Sequence, residues 1–202
     1  MEDKVLAAAK SGNVTELKEL LAAGASPEAR DELGWTVLMW ACAMGFADAV
    51  KVLLEGGADT EARDQYWATA LMKSCRRGFP EVAKLLIDYG ADYNARDEYG
   101  WTSLMRAARG GHDEVLKVLL WQDVETEAVD QYGATALIIA AADGRYSAVR
   151  TLLEGGAKIH AKDKNAWTAS TWATSARHSD VVELLKEFEA TSSIPHKTAT
   201  RL

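Results

Sequence analysis

Residues 34–46 read GWTVLMWACAMGF, and closely similar text returns at 67–79 (WATALMKSCRRGF), 100–112 (GWTSLMRAARGGH), 133–145 (GATALIIAAADGR) and 166–178 (AWTASTWATSARH). The five starts, Gly34, Trp67, Gly100, Gly133 and Ala166, stand 33 residues apart. A fixed period of that size belongs to stacked arrays, whose units bury their apolar faces only against neighbours. A linear stack offers one long surface and no deep cleft. Binding is therefore the first expectation.

One unit can be read from residues 34 to 66. Thr36 opens TVLMWACAM, a short helix with Leu38, Met39, Ala41 and Cys42 as its apolar or small positions. Thr69, Thr102, Thr135 and Thr168 recur at the same place, where a hydroxyl caps the first free N–H groups of a helix. Gly45 breaks the segment. In ADAVKVLLEGG, Val50, Leu53 and Leu54 form the i, i+3, i+4 stripe of a second helix, ended by Gly56 and Gly57, one of them expected to be left-handed. ADTEARDQY then extends as an arm and turn, with Asp64 placed for an Asx turn. Short links favour two antiparallel helices plus a projecting hairpin.

These units resemble ankyrin repeats. The family pattern D-x-x-G-x-T-P-L-H-x-A-A, followed by a second helix and G-A-D-V-N-A, is matched by DELGWTVLMWAC with EGGADTEA, and again by DEYGWTSLMRAA with DYGADYNA. The resemblance covers roughly residues 2 to 190. It implies an all-α solenoid of about six stacked helix-turn-helix units with projecting β-hairpin loops, whose inner helices and hairpin tips form a concave groove. The expected division is an N-terminal capping unit at 1–33, four repeats at 34–165, a C-terminal capping unit at 166–190 and a flexible tail at 191–202.

The chain departs from the family pattern in places. The family's Pro is replaced by Val37, Ala70, Ser103, Ala136 and Ala169, and its His by Met39, Met72, Met105, Ile138 and Thr171. Trp67 stands where a turn glycine is expected, a burden if its φ is positive. Asp123 replaces a helix-ending glycine. Ser170 takes a core Leu position, which makes the last unit the least stable in expectation.

Composition narrows the function. Of 202 residues, 48% are apolar and 26% charged, the balance of a soluble folded protein. No apolar run approaches a membrane span, and the acidic, amphipathic start MEDKVLAAAKSGN lacks the basic region of a signal peptide. A net charge of −7 argues against wholesale nucleic-acid binding. Cys42 and Cys75, one period apart, read as buried free thiols suited to a reducing interior. A cytoplasmic protein is expected, with the nucleus as the alternative. His112, His160, His178 and His196 show neither metal-ligand spacing nor a nucleophile partner, and no phosphate-binding glycine loop appears. Neither an enzyme nor a cofactor is expected.

Stacking makes residues one period apart spatial neighbours, so the sequence can be read as a grid. By the family resemblance, the inner-helix column facing the groove runs Trp40, Lys73, Arg106, Ile139, Trp172. One turn along it runs Ala43, Arg76, Arg109, Ala142, Ser175. The hairpin columns run Trp35, Ala68, Trp101, Ala134, Trp167 and Leu33, Tyr66, Tyr99, Tyr132, Asn165. Lys73, Arg76, Arg106 and Arg109 make a two-by-two block of cations, with Arg77 adjacent, in an acidic protein. Trp, Tyr and Arg dominate binding energy at interfaces.

Structural readings stand beside this one. Tyr66, Tyr99 and Tyr132 can pack hairpin against hairpin. Trp35, Trp101 and Trp167 alternate with alanines as large–small packing would. The cations can pair with Asp64, Asp97, Glu98 or Asp143. Trp40 and Trp172 are the hardest to explain structurally.

If the face binds, an acidic or phosphorylated stretch of a protein or peptide would meet Arg76, Arg106 and Arg109, with apolar anchors against Trp40, Met44 and Trp101. Two alternatives remain. One is a nucleotide-like ligand stacked on Trp101 with its phosphates on the cations. The other is an engineered ankyrin binder, although the second helices vary more than a consensus frame would. Three weaker signals complete the reading. Thr200-Arg201-Leu202 fits the carboxyl-terminal pattern read by PDZ domains. Leu86, Asp92, Tyr93 and Asn94 resemble the surroundings of hydroxylated ankyrin asparagines, with hairpin duty the alternative for Asn94. Trp121, away from the groove, suits self-association or local packing.

Overall fold

A computed structural model describes residues 1–192 and contains twelve helices among them. Six form one layer: α1 (Glu2–Ser11), α3 (Val37–Met44), α5 (Ala70–Arg77), α7 (Ser103–Gly110), α9 (Ala136–Ala142) and α11 (Ala169–Ser175). The other layer holds α2 (Val14–Ala22), α4 (Ala47–Glu55), α6 (Pro80–Asp88), α8 (Asp113–Leu120), α10 (Tyr146–Glu154) and α12 (Ser179–Ser192). Each helix packs on its own partner and on the same-layer helices before and after it. This is the one-dimensional stacking that the period predicts.

Local chemistry sets the helix ends. The hydroxyls of Thr36, Thr69, Thr102, Thr135 and Thr168 each accept the backbone N–H three residues on. Gly45, Gly78 and Gly111 close their helices in the left-handed region, and at Gly78 a Cβ would lie 2.5 Å from His112 Nδ1. Gly57, not Gly56, is the left-handed residue after α4.

The core between the layers is continuous. Leu38, Leu71, Leu104 and Leu137 are buried from one layer, and Leu53, Leu86, Leu119 and Leu152 from the other. The last unit is thinner. Inner helix α11 buries only Ala169 and Ala173, because Ser170 and Thr171 replace the apolar pair found in the units before it.

The projecting segments are tight turns. Among the described residues they carry no strand and one isolated bridge, Arg30 to Thr36. Side-chain links hold them together instead. Arg30, Arg63 and Arg96 each donate to the backbone carbonyl 33 residues on. The carboxylates of Glu28, Glu61 and Glu127 and the Asn94 amide oxygen each accept the N–H 31 residues on. At the turn glycine position Trp67 and Ala166 hold φ +63°, a left-handed conformation that costs a non-glycine residue about 1–2 kcal/mol.

Candidate binding face

Each of five turns is built on an aspartate: Asp31, Asp64, Asp97, Asp130 or Asp163. Its Oδ1 accepts the backbone N–H groups of the residues two and four positions on. In four turns Oδ2 also meets a donor from the residue nine positions on, in the inner helix. The Trp40 indole donates to Asp31 at 2.8 Å and the Trp172 indole to Asp163 at 2.9 Å. Lys73 Nζ donates to Asp64 at 2.5 Å, and the Arg106 guanidinium donates to Asp97. In the fourth turn the position is Ile139, which has nothing to donate.

This geometry revises the role of the inner-helix column. Trp40, Lys73, Arg106 and Trp172 brace the turns. The Lys73 side chain is only 10% exposed and that of Arg106 19%, so neither is a free cation on an open surface. The pairing of the cations with Asp64, Asp97 and Asp143 is the arrangement present. Burial raises the Asp31 and Asp163 carboxyls, but N–H groups of Trp35 and Leu33 with the Trp40 indole, and of Trp167 and Asn165 with the Trp172 indole, outweigh it and hold both below the usual carboxylate value. Burial lowers Lys73, and nearby Arg106 and Arg76 add to that against the pull of Asp64.

Arg76 and Arg77, in contrast, form no ion pair among the described residues, and both are exposed. Arg76 is lowered by partial burial and then by the charges of Arg106, Arg77 and Arg109. Arg109 reaches Asp143 at 3.5 Å across an exposed gap, a pairing that contributes little. Trp101 lies beneath two guanidiniums, with Arg106 4.8 Å and Arg109 5.4 Å from its ring centroid. Two adjoining depressions share Arg76 and Arg106. One of about 330 Å³ is lined by Trp101, Arg109 and Gly110, and one of about 270 Å³ by Tyr66, Met72, Lys73 and Tyr99.

The aromatic columns divide. Trp35 packs at 4.6 Å against Trp40, and Trp167 at 4.9 Å against Trp172. Lys73 covers Trp35 at 4.0 Å and Lys10 covers Trp40 at 4.3 Å. Tyr66, Tyr99, Tyr132 and Met44 are exposed, and Ile139 is buried. The sequence reading missed the spacing of nine from the turn aspartate to a donor, although Asp31/Trp40, Asp64/Lys73, Asp97/Arg106 and Asp163/Trp172 all carry it.

Elsewhere the side chains serve the fold. Cys42 and Cys75 are buried free thiols; burial pushes Cys75 up to about 12. The ring nitrogens of His112 and His178 bond the carbonyl oxygens of Arg76 and Ala142 in the preceding unit. Among the described residues no group of three or more His, Cys, Asp or Glu has metal-holding geometry, and no helix is long and apolar enough to cross a membrane. Trp121 is exposed beside a larger hollow of about 440 Å³ on the other layer, whose walls carry charges of both signs, Lys84 and Lys117 with Asp88 and Glu114. The carboxyl-terminal Thr200-Arg201-Leu202 lies outside the described residues.

A family model described as ankyrin repeats matches the chain in three copies, over residues 5–97, 60–130 and 104–198. No curated protein matches it.

Proposed function

The chain belongs to the ankyrin repeat family, and from that premise we propose that its stack of six units binds an acidic or phosphorylated segment of a protein through the groove around Arg76. Ankyrin repeats are generally modules of protein–protein interaction and typically act as non-enzymatic scaffolds. The observation that carries the proposal is Arg76 itself. It is an unpaired guanidinium among Arg77, Arg106 and Arg109, opening on two depressions floored by Trp101, Tyr66 and Tyr99. Clustered like charges weaken the folded state, so an anion at this point relieves a repulsion that the free protein carries.

A carboxylate or phosphate takes Arg76 in a bidentate pair, with Arg77 and Arg109 as secondary contacts. Apolar side chains beside it settle against Tyr66, Tyr99 and Met44. A nucleotide-like ligand is less well served, because the guanidiniums of Arg106 and Arg109 already lie against the Trp101 ring that a base would need.

The test is a peptide array of phosphoserine and glutamate sequences probed with the wild-type protein, Arg76→Glu and Lys117→Glu. Arg106→Glu is a poor probe because it breaks the Asp97 pair. Wild type and Lys117→Glu should bind the same acidic spots, and Arg76→Glu should bind them about 30-fold more weakly, the scale of one interface hot spot. Equal binding by all three proteins would remove the proposal.

A further inference from the structure

Helix α9, with the sequence ALIIAAA, brings no polar side chain to the binding face, and this leaves two partners unanswered. Asp130 is only 7% exposed. Its Oδ1 accepts the N–H groups of Tyr132 and Ala134, whereas its Oδ2 bonds no protein donor among the described residues and is open to solvent rather than sealed in the core. In the other four turns the residue nine on supplies one. Here that residue is Ile139.

The second unanswered partner is Trp172. Lys10 covers Trp40 from the preceding unit. The residue equivalent to Lys10 before Trp172 is Ala142, and among the described residues no cation lies over the Trp172 or Trp167 ring. Both gaps therefore fall on α9, at Ile139 and at Ala142, on the same face one turn apart.

The charges around them do not fill the gap. Arg106 bonds Asp97, and the nearest carboxylate to Arg109 is Asp143, so neither pairs with Asp130. A carboxylate oxygen without a protein donor gains most from one that is itself charged, and an indole ring with no cation over it attracts one.

We propose that the face over α9 is a subsite for a lysine or arginine side chain of the partner, donating to Asp130 Oδ2 and lying against Trp172. It shares a groove with the acidic-segment contact but does not depend on Arg76. Packed helices stand roughly 8–10 Å apart, so the two contacts are roughly 20 Å apart over two units. An extended chain advances about 3.3–3.6 Å per residue. The partner's basic residue therefore lies about six positions from its acidic one.

The test uses N-acetyl-arginine amide as probe and N-acetyl-citrulline amide as its uncharged counterpart, followed by ¹H–¹⁵N spectra of the whole chain. With arginine, the Trp172 indole N–H and the Tyr132 and Ala134 amides shift along a saturable curve. The Trp40 indole and the Tyr66 and Ala68 amides, whose carboxylates are already served, stay in place. Citrulline produces no such shift. Ile139→Lys copies Lys73 and Ala142→Lys copies Lys10, and each should weaken the response about tenfold, the worth of one charge-assisted hydrogen bond. Ala142 is half-buried, so its replacement keeps the test open if Ile139→Lys does not fold. Equal shifts with arginine and citrulline, no selective shift, or a full response in Ala142→Lys would overturn the subsite. Arg76→Glu leaves the response intact, so this inference and the acidic-segment reading fail separately.

Discussion

Removing the turn aspartate from two neighbouring units, one with a distal partner for it and one without, tests the value of that partner. Asp97→Ala and Asp130→Ala each delete a carboxylate that accepts two backbone N–H groups. That shared loss cancels in the comparison. Asp97→Ala additionally leaves the Arg106 guanidinium without its carboxylate, whereas Asp130→Ala leaves behind only Ile139. Stranding one member of a fully buried pair costs about 3–5 kcal/mol. The Arg106 side chain is 19% exposed, and water reaching it discounts that figure to about 2 kcal/mol. Asp97→Ala should therefore unfold roughly 4–8 °C below Asp130→Ala, at about 2–4 °C per kcal/mol for a chain of this size. Thermal unfolding followed by circular dichroism measures the difference, and adding Arg106→Met to Asp97→Ala should recover most of it. If the two alanine variants melt together, Oδ2 pairing does not brace the turns, and the reading of Lys73 and Arg106 as braces is wrong.

Two other expectations follow from the same geometry. Ser170→Leu restores an apolar residue to a half-buried core position of α11 and should stabilise the last unit by about 1 kcal/mol, part of the worth of a fully buried leucine; slower amide exchange in α11 and α12, with no change in α3, is the signature, and unchanged exchange speaks against a thin final unit. Trp40→Phe removes the indole donor that helps hold Asp31 low. A carboxyl lowered by folding contributes stability that is present above its unfolded value of about 3.9 and is lost as pH falls through the folded value. The stability gap between wild type and Trp40→Phe should therefore be widest near neutrality and narrow below about pH 4, and a gap that is constant with pH would deny the carboxylate its part.

The fold was legible because periodicity converts a weak local signal into a strong one. A single Thr followed by an apolar run is an ordinary helix start, but Thr36, Thr69, Thr102, Thr135 and Thr168 at one spacing, each followed by small and apolar residues, leave little else to build. Trp67 at φ +63° was likewise readable from the glycine that its neighbours keep at that place. What the sequence could not display was direction. A column of Trp40, Lys73, Arg106 and Trp172 looks like a recognition stripe when only the residue types are seen. Its polar tips turn toward the aspartates nine residues earlier, because a buried carboxylate oxygen left without a donor is expensive and an inner helix beside the turn is the nearest source of one.

That same requirement changes which residues carry the functional argument. Where a donor is present, the side chain is committed to the fold, and only what the fold does not consume is free to recognise a partner. By this test Lys73 and Arg106 leave the set of side chains proposed to meet an anion, and Arg76 and Arg77 remain in it. Asp130 then enters from the opposite direction: it is an acceptor that the fold has left open, one that residue type alone never singled out because four identical aspartates are fully served. The proposed face is thus polarised along the stack. Cations without an ion pair among the described residues lie over α5, and a carboxylate oxygen without a protein donor lies beyond α7, toward α9 and α11. A partner matched to both ends must carry its opposite charges in one order along its chain, so reversing the order of an acidic and a basic residue at fixed spacing should abolish the gain that the pair confers over either residue alone.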